Sequence, residues 1–244
     1  MGVIMGFELI PYPNAEELAR AVAGRWLDEL AKRKDPKVPY SVALSGGRIA
    51  RDFFTAVAQQ ATSRGITMDG VHFFWADERC VPPTDPESNY AVARQLLFEP
   101  LKIPAAQIHR VRGEEEEGLA LRDAVENVLR VAPVAEGKGL PVLNMIFLGM
   151  GEDGHVASLF PGESAETMAN PAIYRSVIAV KPPPRRITLG YGMIAAAREV
   201  WLLASGKGKE QALRESLAPQ GKTPLARVLR SRVLTRIFSD VGPV

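Results

Sequence analysis

Leu18, Val22, Trp26 and Leu30 recur at every fourth position behind Asn14-Ala-Glu-Glu17, which has the spacing of a helix capping box. The pattern predicts an amphipathic helix running to about residue 34. Residues 37–44 (KVPYSVAL) end in a short apolar run that stops at Ser45-Gly46-Gly47, and a second helix is expected over 49–60. Residues 71–76 (VHFFWA) are apolar on both faces, as in a strand buried inside a sheet. A polar, proline-rich loop over 77–89 follows, then a helix near 90–98, a short strand at 108–111 and a helix through 119–129. The acidic run at 114–117 reads as the first turn of that helix, where its dipole favours negative charge. Further strands are expected at 143–148, 176–180, 199–204 and 233–238, with helices near 187–197 and 208–217. Strands alternating with helices predict an α/β fold with a largely parallel sheet. No linker rich in Gly, Ser or Pro divides residues 1–244, so a single α/β domain is expected.

Composition narrows the partners more than the fold. The 46% hydrophobic and 24% charged residues are the balance of an ordinary globular protein. A formal charge of +2, without a block of Lys and Arg, gives no reason to expect nucleic acid, so any attraction to anions must be local. The one cysteine, Cys80, excludes an internal disulfide and C-x-x-C metal clusters. The opening MGVIMGFELIPYPN has neither a basic n-region nor a long apolar stretch, and no window is apolar enough to span a membrane. A cytoplasmic protein is the expectation. The sequence does not specify an oligomeric state and is compatible with a monomer.

The chemistry concentrates after the apolar run 143–148, in GMGEDGHVASLFPG. Its formal G-x-G-x-x-G suggests a dinucleotide, which requires a preceding strand, a helix opening at the third glycine and an acidic residue about 20 positions on. The strand is expected. Pro161-Gly162 arrives too soon for a full crossover helix, and the next strand leads into Lys181 and three prolines rather than an acid. A nicotinamide dinucleotide cofactor is therefore not expected. What remains is a glycine-rich loop at a strand's carboxyl end carrying Asp153 and His155. An imidazole beside a carboxylate is suited to general-base work near neutral pH. The other histidines, His72 and His109, lie on strand-like stretches and read as structural.

Four other segments sit at expected strand ends. Ser45-Gly46-Gly47-Arg48 opens a helix and reads either as a phosphate site, with converging backbone N–H groups and one full charge, or as a plain tight turn. It lacks the lysine of a Walker A loop. Asp77-Glu78-Arg79-Cys80-Val81-Pro82 offers a guanidinium for phosphate or oxyanion; Cys80 has no partnered histidine in sequence and reads as packing. Lys181 with Arg185-Arg186, and Gly206-Lys207-Gly208-Lys209, are two more basic loops. Their convergence on one sheet edge favours a small phosphorylated substrate.

Together these segments closely resemble the 6-phosphogluconolactonase family, within the larger group that includes glucosamine-6-phosphate deaminase. The matching residues are LSGG at 44–47, DERCVP at 77–82 with Glu87-Ser88-Asn89, the stretch 149–162, Arg186-Ile-Thr188, and Gly206-x-x-Lys209. D-G-H-x-A-S-L-F-P-G is the most specific, since the deaminases usually continue past the histidine with phenylalanine, asparagine and glutamate and tend to carry tyrosine at the Arg79 position. The resemblance implies a doubly wound, Rossmann-like α/β fold. It also implies hydrolysis of 6-phosphogluconolactone in the oxidative pentose phosphate pathway, without metal or other cofactor. By similarity, His155 activates the water and returns a proton to the ring oxygen, Asp153 supports it, and Arg79 serves the oxyanion or the phosphate. Ser45, Gly46, Gly47, Arg48, Lys181, Arg186 and Lys209 are then the phosphate-binding set. One departure stands out: the family commonly continues LSGG with a small hydroxyl residue, threonine and proline, whereas this chain reads Arg48-Ile49-Ala50. The alternatives are a glucosamine-6-phosphate deaminase/isomerase and a non-catalytic sugar-phosphate-binding module.

Overall fold

The computed structural model describes residues 6–134, 137 and 139–242. The first five residues of the opening that was read for a leader lie outside that set. In chain order the strands are β1 (Phe7–Pro11), β2 (Tyr40–Leu44), β3 (Val71–Trp75), β4 (Asp77–Arg79), β5 (Met145–Gly149), β6 (Tyr174–Ile178), β7 (Arg185–Leu189), β8 (Glu199–Ala204) and β9 (Thr235–Ser239). The α-helices are α1 (Ala15–Ala31), α2 (Arg48–Arg64), α3 (Asn89–Ala93), α4 (Glu117–Val131), α5 (Ala165–Ala169), α6 (Tyr191–Ala196), α7 (Glu210–Leu217) and α8 (Pro224–Arg230). Six strands form a wholly parallel sheet in the order β1-β9-β8-β5-β2-β3. Flanked by helices, it is the expected α/β architecture.

The central strands are apolar because both faces are covered. On one side of β5, Phe147 meets Trp26 of α1 edge-on at 5.2 Å and Phe53 of α2 at 4.6 Å between ring centroids. All three rings are at most 4% exposed, and deleting one from such a cluster costs about 3–5 kcal/mol. Asn14 caps α1 as read, its side chain accepting from the Glu17 N–H at 2.9 Å, while the Glu17 carboxylate accepts from the Asn14 side-chain amide at 3.2 Å in place of the capping box's backbone N–H.

Four expectations need correction. Residues 77–79 are not loop but strand β4, which with β7 and β6 makes a second, antiparallel sheet in the order β4-β7-β6. The chain changes sheets at Ala76, whose N–H donates to Leu44 of β2 and whose carbonyl accepts from Leu189 of β7, both at 2.8 Å. Residues 185–189, placed partly in a helix, are β7, because only antiparallel partners on both sides satisfy their backbone. The strand at 108–111 reduces to one bridge from Ile108 to Phe73; beyond it Arg110 and Arg112 pair with Glu114 and Glu115 instead. Of the acidic run, therefore, only Glu117 occupies the first helical turn, and Glu116 is the cap, accepting from the N–H groups of Gly118 and Leu119. Strand β1 and helices α5 and α8 had no counterpart in the sequence pattern.

The topology fixes where a ligand can sit. β2 continues to its neighbour β3, while β5 leads through the second sheet to β8 on its other side. The loops leaving the carboxyl ends of β2 and β5 therefore part company, which is the crevice at which open α/β sheets bind ligands.

Candidate active site

A cleft of about 350 Å³ opens at that crevice. Of the residues singled out from sequence, Ser45, Gly46, Gly47, Arg48, Arg79, His155, Arg186 and Lys209 line it. Asp153 stands behind His155, its Oδ1 2.5 Å from Nδ1. Lys181 is not brought to the cleft: it is exposed on the turn between β6 and β7, and its backbone carbonyl accepts from Arg186 at 3.3 Å.

The β5 loop is wound so tightly that it presents the imidazole. Gly151 donates its N–H to the His155 carbonyl at 2.9 Å, and Gly154 closes the turn onto Gly151 at 3.1 Å with φ +78°. Asp153 Oδ1 also accepts the His155 N–H at 3.2 Å. Partial burial raises the Asp153 carboxyl, but the His155 N–H and the imidazole outweigh it and hold the carboxyl below its ordinary range. Phe160 packs against the His155 ring at 5.0 Å, and the Arg186 guanidinium lies over Phe160 at 5.8 Å.

The β2 loop supplies Gly47 as the N-cap of α2, with φ +102° and no capping side chain, so the first N–H groups of the helix are left for a ligand. The Ser45 hydroxyl donates inward to the Phe147 carbonyl at 2.9 Å, which leaves its backbone as the part facing the cleft. Arg48 reaches toward the loop after β8, where a side chain on Gly206 would begin 3.7 Å from its Nη2. Lys209 shares this corner; burial, with Arg48 beside it, holds its ammonium below the usual lysine range.

The second sheet contributes the other cations. In the β4–β7 ladder Arg79 lies directly opposite Arg186. Burial, then the neighbouring Arg79, lowers Arg186, and Arg79 donates from Nη1 to the Glu87 carbonyl at 2.5 Å. Among the described residues Arg48, Arg186 and Lys209 form no ion pair. Four cations face a common cleft: Arg79 pairs with the exposed Glu87 carboxylate at 3.7 Å, and the other three have no such partner among the described residues.

Two residues inside the quoted motifs carry more than their motif suggested. Glu78 is buried and accepts from four donors, the Arg79, Asn89 and Tyr90 N–H groups and the Ser88 hydroxyl, at 2.7–3.1 Å. Burial pushes its carboxyl up to about 7 against the pull of those N–H groups. It thereby fixes the start of α3, where Asn89 packs on Gly46; any side chain on Gly46 would begin 1.9 Å from Asn89 Oδ1. Asp77, also buried and lining the cleft, accepts from the Ser158 hydroxyl at 2.7 Å and ties the two motifs together. Asp52, Ser205 and Asp240 line the cleft without any sequence motif to mark them. His72 and His109 meet away from the cleft, ring nitrogens 2.9 Å apart, and Cys80 is a half-buried free thiol packed on the core. Among the described residues no group of three or more His, Cys, Asp or Glu side chains is arranged to hold a metal ion.

A parallel α/β sheet with a histidine–carboxylate pair and free cations at its switch point has the make-up of an enzyme for small anionic substrates. The chain belongs to the glucosamine-6-phosphate isomerase/6-phosphogluconolactonase family, whose model matches residues 13–237. It is 32% identical over 240 residues to the 6-phosphogluconolactonase of Haemophilus influenzae, covering 96% of this chain and 97% of that one. Against the 6-phosphogluconolactonase of Mycobacterium tuberculosis the identity is 36% over 212 residues, 83% of this chain and 82% of the other. The solved structure of 6-phosphogluconolactonase from Trypanosoma brucei superposes with a TM-score of 0.83 at 25% identity, covering 96% and 97% of the two chains.

Proposed function

We propose that the protein hydrolyses 6-phospho-D-glucono-1,5-lactone to 6-phosphogluconate, the lactone-opening step of the oxidative pentose phosphate pathway. The observation that carries the reading is the His155–Asp153 pair, 2.5 Å apart, facing a cleft lined by four cations. A lactone needs an activated water, a counter-charge for the tetrahedral oxygen and a proton for the departing ring oxygen. With Nδ1 engaged by Asp153, Nε2 of His155 is the free acceptor and takes a proton as water adds to the carbonyl carbon. The carbonyl π electrons move onto oxygen, and a guanidinium of the Arg79/Arg186 pair stabilises the oxyanion. Collapse breaks the bond from carbon to the ring oxygen, which leaves with the proton held by His155. Water and lactone atoms are all retained in the hydroxy acid.

Arg48, Lys209 and the N–H groups of Gly46, Gly47 and the α2 N-terminus then hold the phosphate, with no metal taking part. Arg48 supplies the charge where relatives carry a small hydroxyl, and Ser45 serves through its backbone. Lys181 has no part in this scheme.

Proton release from freshly prepared lactone, in the presence of a chelator and after subtraction of spontaneous hydrolysis, tests the activity. His155→Ala lowers kcat by about 10²–10⁴. A folded variant at the wild-type rate refutes the mechanism. Ammonia release from glucosamine 6-phosphate without lactone turnover assigns the site to the deaminases, and tight binding of 6-phosphogluconate with no turnover assigns it to a binding module.

A further inference from the structure

Asp240 lies just past β9 and beyond the residues that match the family model. Its N–H extends the β8–β9 pairing by donating to the Ala204 carbonyl at 3.3 Å. Both carboxylate oxygens turn toward the loop after β8. Oδ2 accepts from the Ser205 hydroxyl at 2.8 Å, and Oδ1 accepts from the Gly206 N–H at 3.0 Å. That loop has little conformational preference of its own, since Gly206 and Gly208 sit at φ +99° and +85°. It leads directly into Lys209, the N-cap of α7, which makes no side-chain capping bond. The Ser205–Gly206 half of the turn is therefore held from outside, by a carboxylate delivered from the neighbouring strand, while Gly208 donates its N–H to Glu210 Oε2 at 2.9 Å.

We propose that Asp240 is a positioning residue: it clamps the Ser205–Gly206 turn and so presents Lys209, beside Arg48, to the substrate phosphate. The proposal rests on the reading of this corner as the phosphate end of the cleft. The arrangement also explains how a carboxylate can line an anion site. With both oxygens committed to the loop, Asp240 forms no ion pair with Lys209 or Arg48, and both cations remain available. Because the turn borders the Arg48 guanidinium, one clamp sets the position of two phosphate ligands.

The test compares Asp240→Ala with Asp240→Asn. The amide keeps both contacts, accepting from Gly206 through its oxygen and donating to the Ser205 oxygen through its nitrogen, whereas alanine loses both. Asp240→Ala raises KM for the phosphorylated lactone, and Kd for 6-phosphogluconate by calorimetry, about tenfold or more, with kcat within about twofold. Asp240→Asn restores both constants to within about threefold of wild type. Ser205→Ala, which keeps the carboxylate and removes one donor, gives a smaller rise of about three- to fivefold and carries the test if Asp240→Ala does not fold. Unchanged KM in Asp240→Ala and Ser205→Ala overturns the proposal, as does Asp240→Asn behaving like alanine or a loss confined to kcat. Lys209→Ala separates the underlying reading: if it leaves KM unchanged the phosphate assignment of this corner fails, and if it raises KM while Asp240→Ala does not, only the role of Asp240 fails.

Discussion

Gly151 is the position where one methyl group should disable the site without unfolding the protein. Its α-carbon faces the imidazole so closely that an alanine methyl would begin 2.1 Å from His155 Cε1 and Nδ1 and 2.8 Å from Asp153 Oδ1. To reach even a tight contact of about 3.4 Å the ring must retreat by roughly 1.3 Å. The 2.5 Å bond between Nδ1 and Asp153 does not survive a shift of that size. A misplacement of about 1 Å at a reacting group costs on the order of 10² in rate, and loss of a general base costs about 10²–10⁴. Gly151→Ala should therefore lower kcat by about 10²–10³, or about 3–4 kcal/mol of barrier. KM should stay within about threefold, because the groups proposed to hold the phosphate belong to other loops. Gly151 is not among the glycines with positive φ, so its backbone accepts alanine without strain. Gly65→Ala is the control: it places a side chain at φ +63° with open space around it, costing about 1–2 kcal/mol of stability and no activity. The assay is background-corrected proton release with thermal unfolding of both variants. A folded Gly151→Ala enzyme with wild-type kcat would show that the position of His155 does not set the rate.

Arg48→Ala should raise KM for the phosphorylated lactone by about tenfold, while Lys181→Ala, on its exposed turn, should leave both constants alone. Steady-state kinetics of the pair checks this, and an unchanged KM in Arg48→Ala removes that side chain from the site. Acid should weaken the fold at the His72–His109 contact. Burial, then His72, lowers His109 to about 4 from 6.5, so between those values the unfolded chain binds a proton that the native state refuses. That contribution to stability is complete above about 6.5 and is lost as pH falls through about 4. His109→Gln should flatten the acid limb of a Tm-versus-pH curve; identical slopes would refute the linkage.

How far the sequence could be read followed from how each segment is satisfied. Strands β3, β5 and β8 are buried on both faces, so their apolar runs were unmistakable, and α1 announced itself through one stripe and its cap. Residues 185–189 were harder, since RRITL is charged at one end, apolar at the other and runs on toward a helix, and its strand character comes from two partners far away in sequence. The segment at 108–111 erred in the opposite direction, having the composition of a strand but only one residue's worth of partner. The lining residues His155, Arg79, Gly46 and Lys209 were legible because they sit in motifs at strand ends. Lys181 misled because β6 and β7 form an antiparallel hairpin, whose tip carries it outward while Arg186, five residues on, returns to the ladder. Asp240 offered no signal at all, being joined to Gly206 across 34 residues solely by the adjacency of β8 and β9.

The second sheet gives the cleft two walls of separate origin. One wall, with the imidazole and the glycine loops, grows from the parallel sheet; the other is a three-stranded ladder in which Arg79 and Arg186 are a single rung. Side chains on a strand alternate between faces, so slipping β4 by one residue against β7 would turn Arg79 away from the cleft and leave Arg186 there alone. Changing the residues on the rung alters the charge of the far wall, and it also reaches the loop opposite, because Arg186 lies over Phe160 and Phe160 packs on the His155 ring. The two walls are thus joined by contact rather than by chain, and a substitution on one is felt by the other through Phe160 and through Ser158 bound to Asp77.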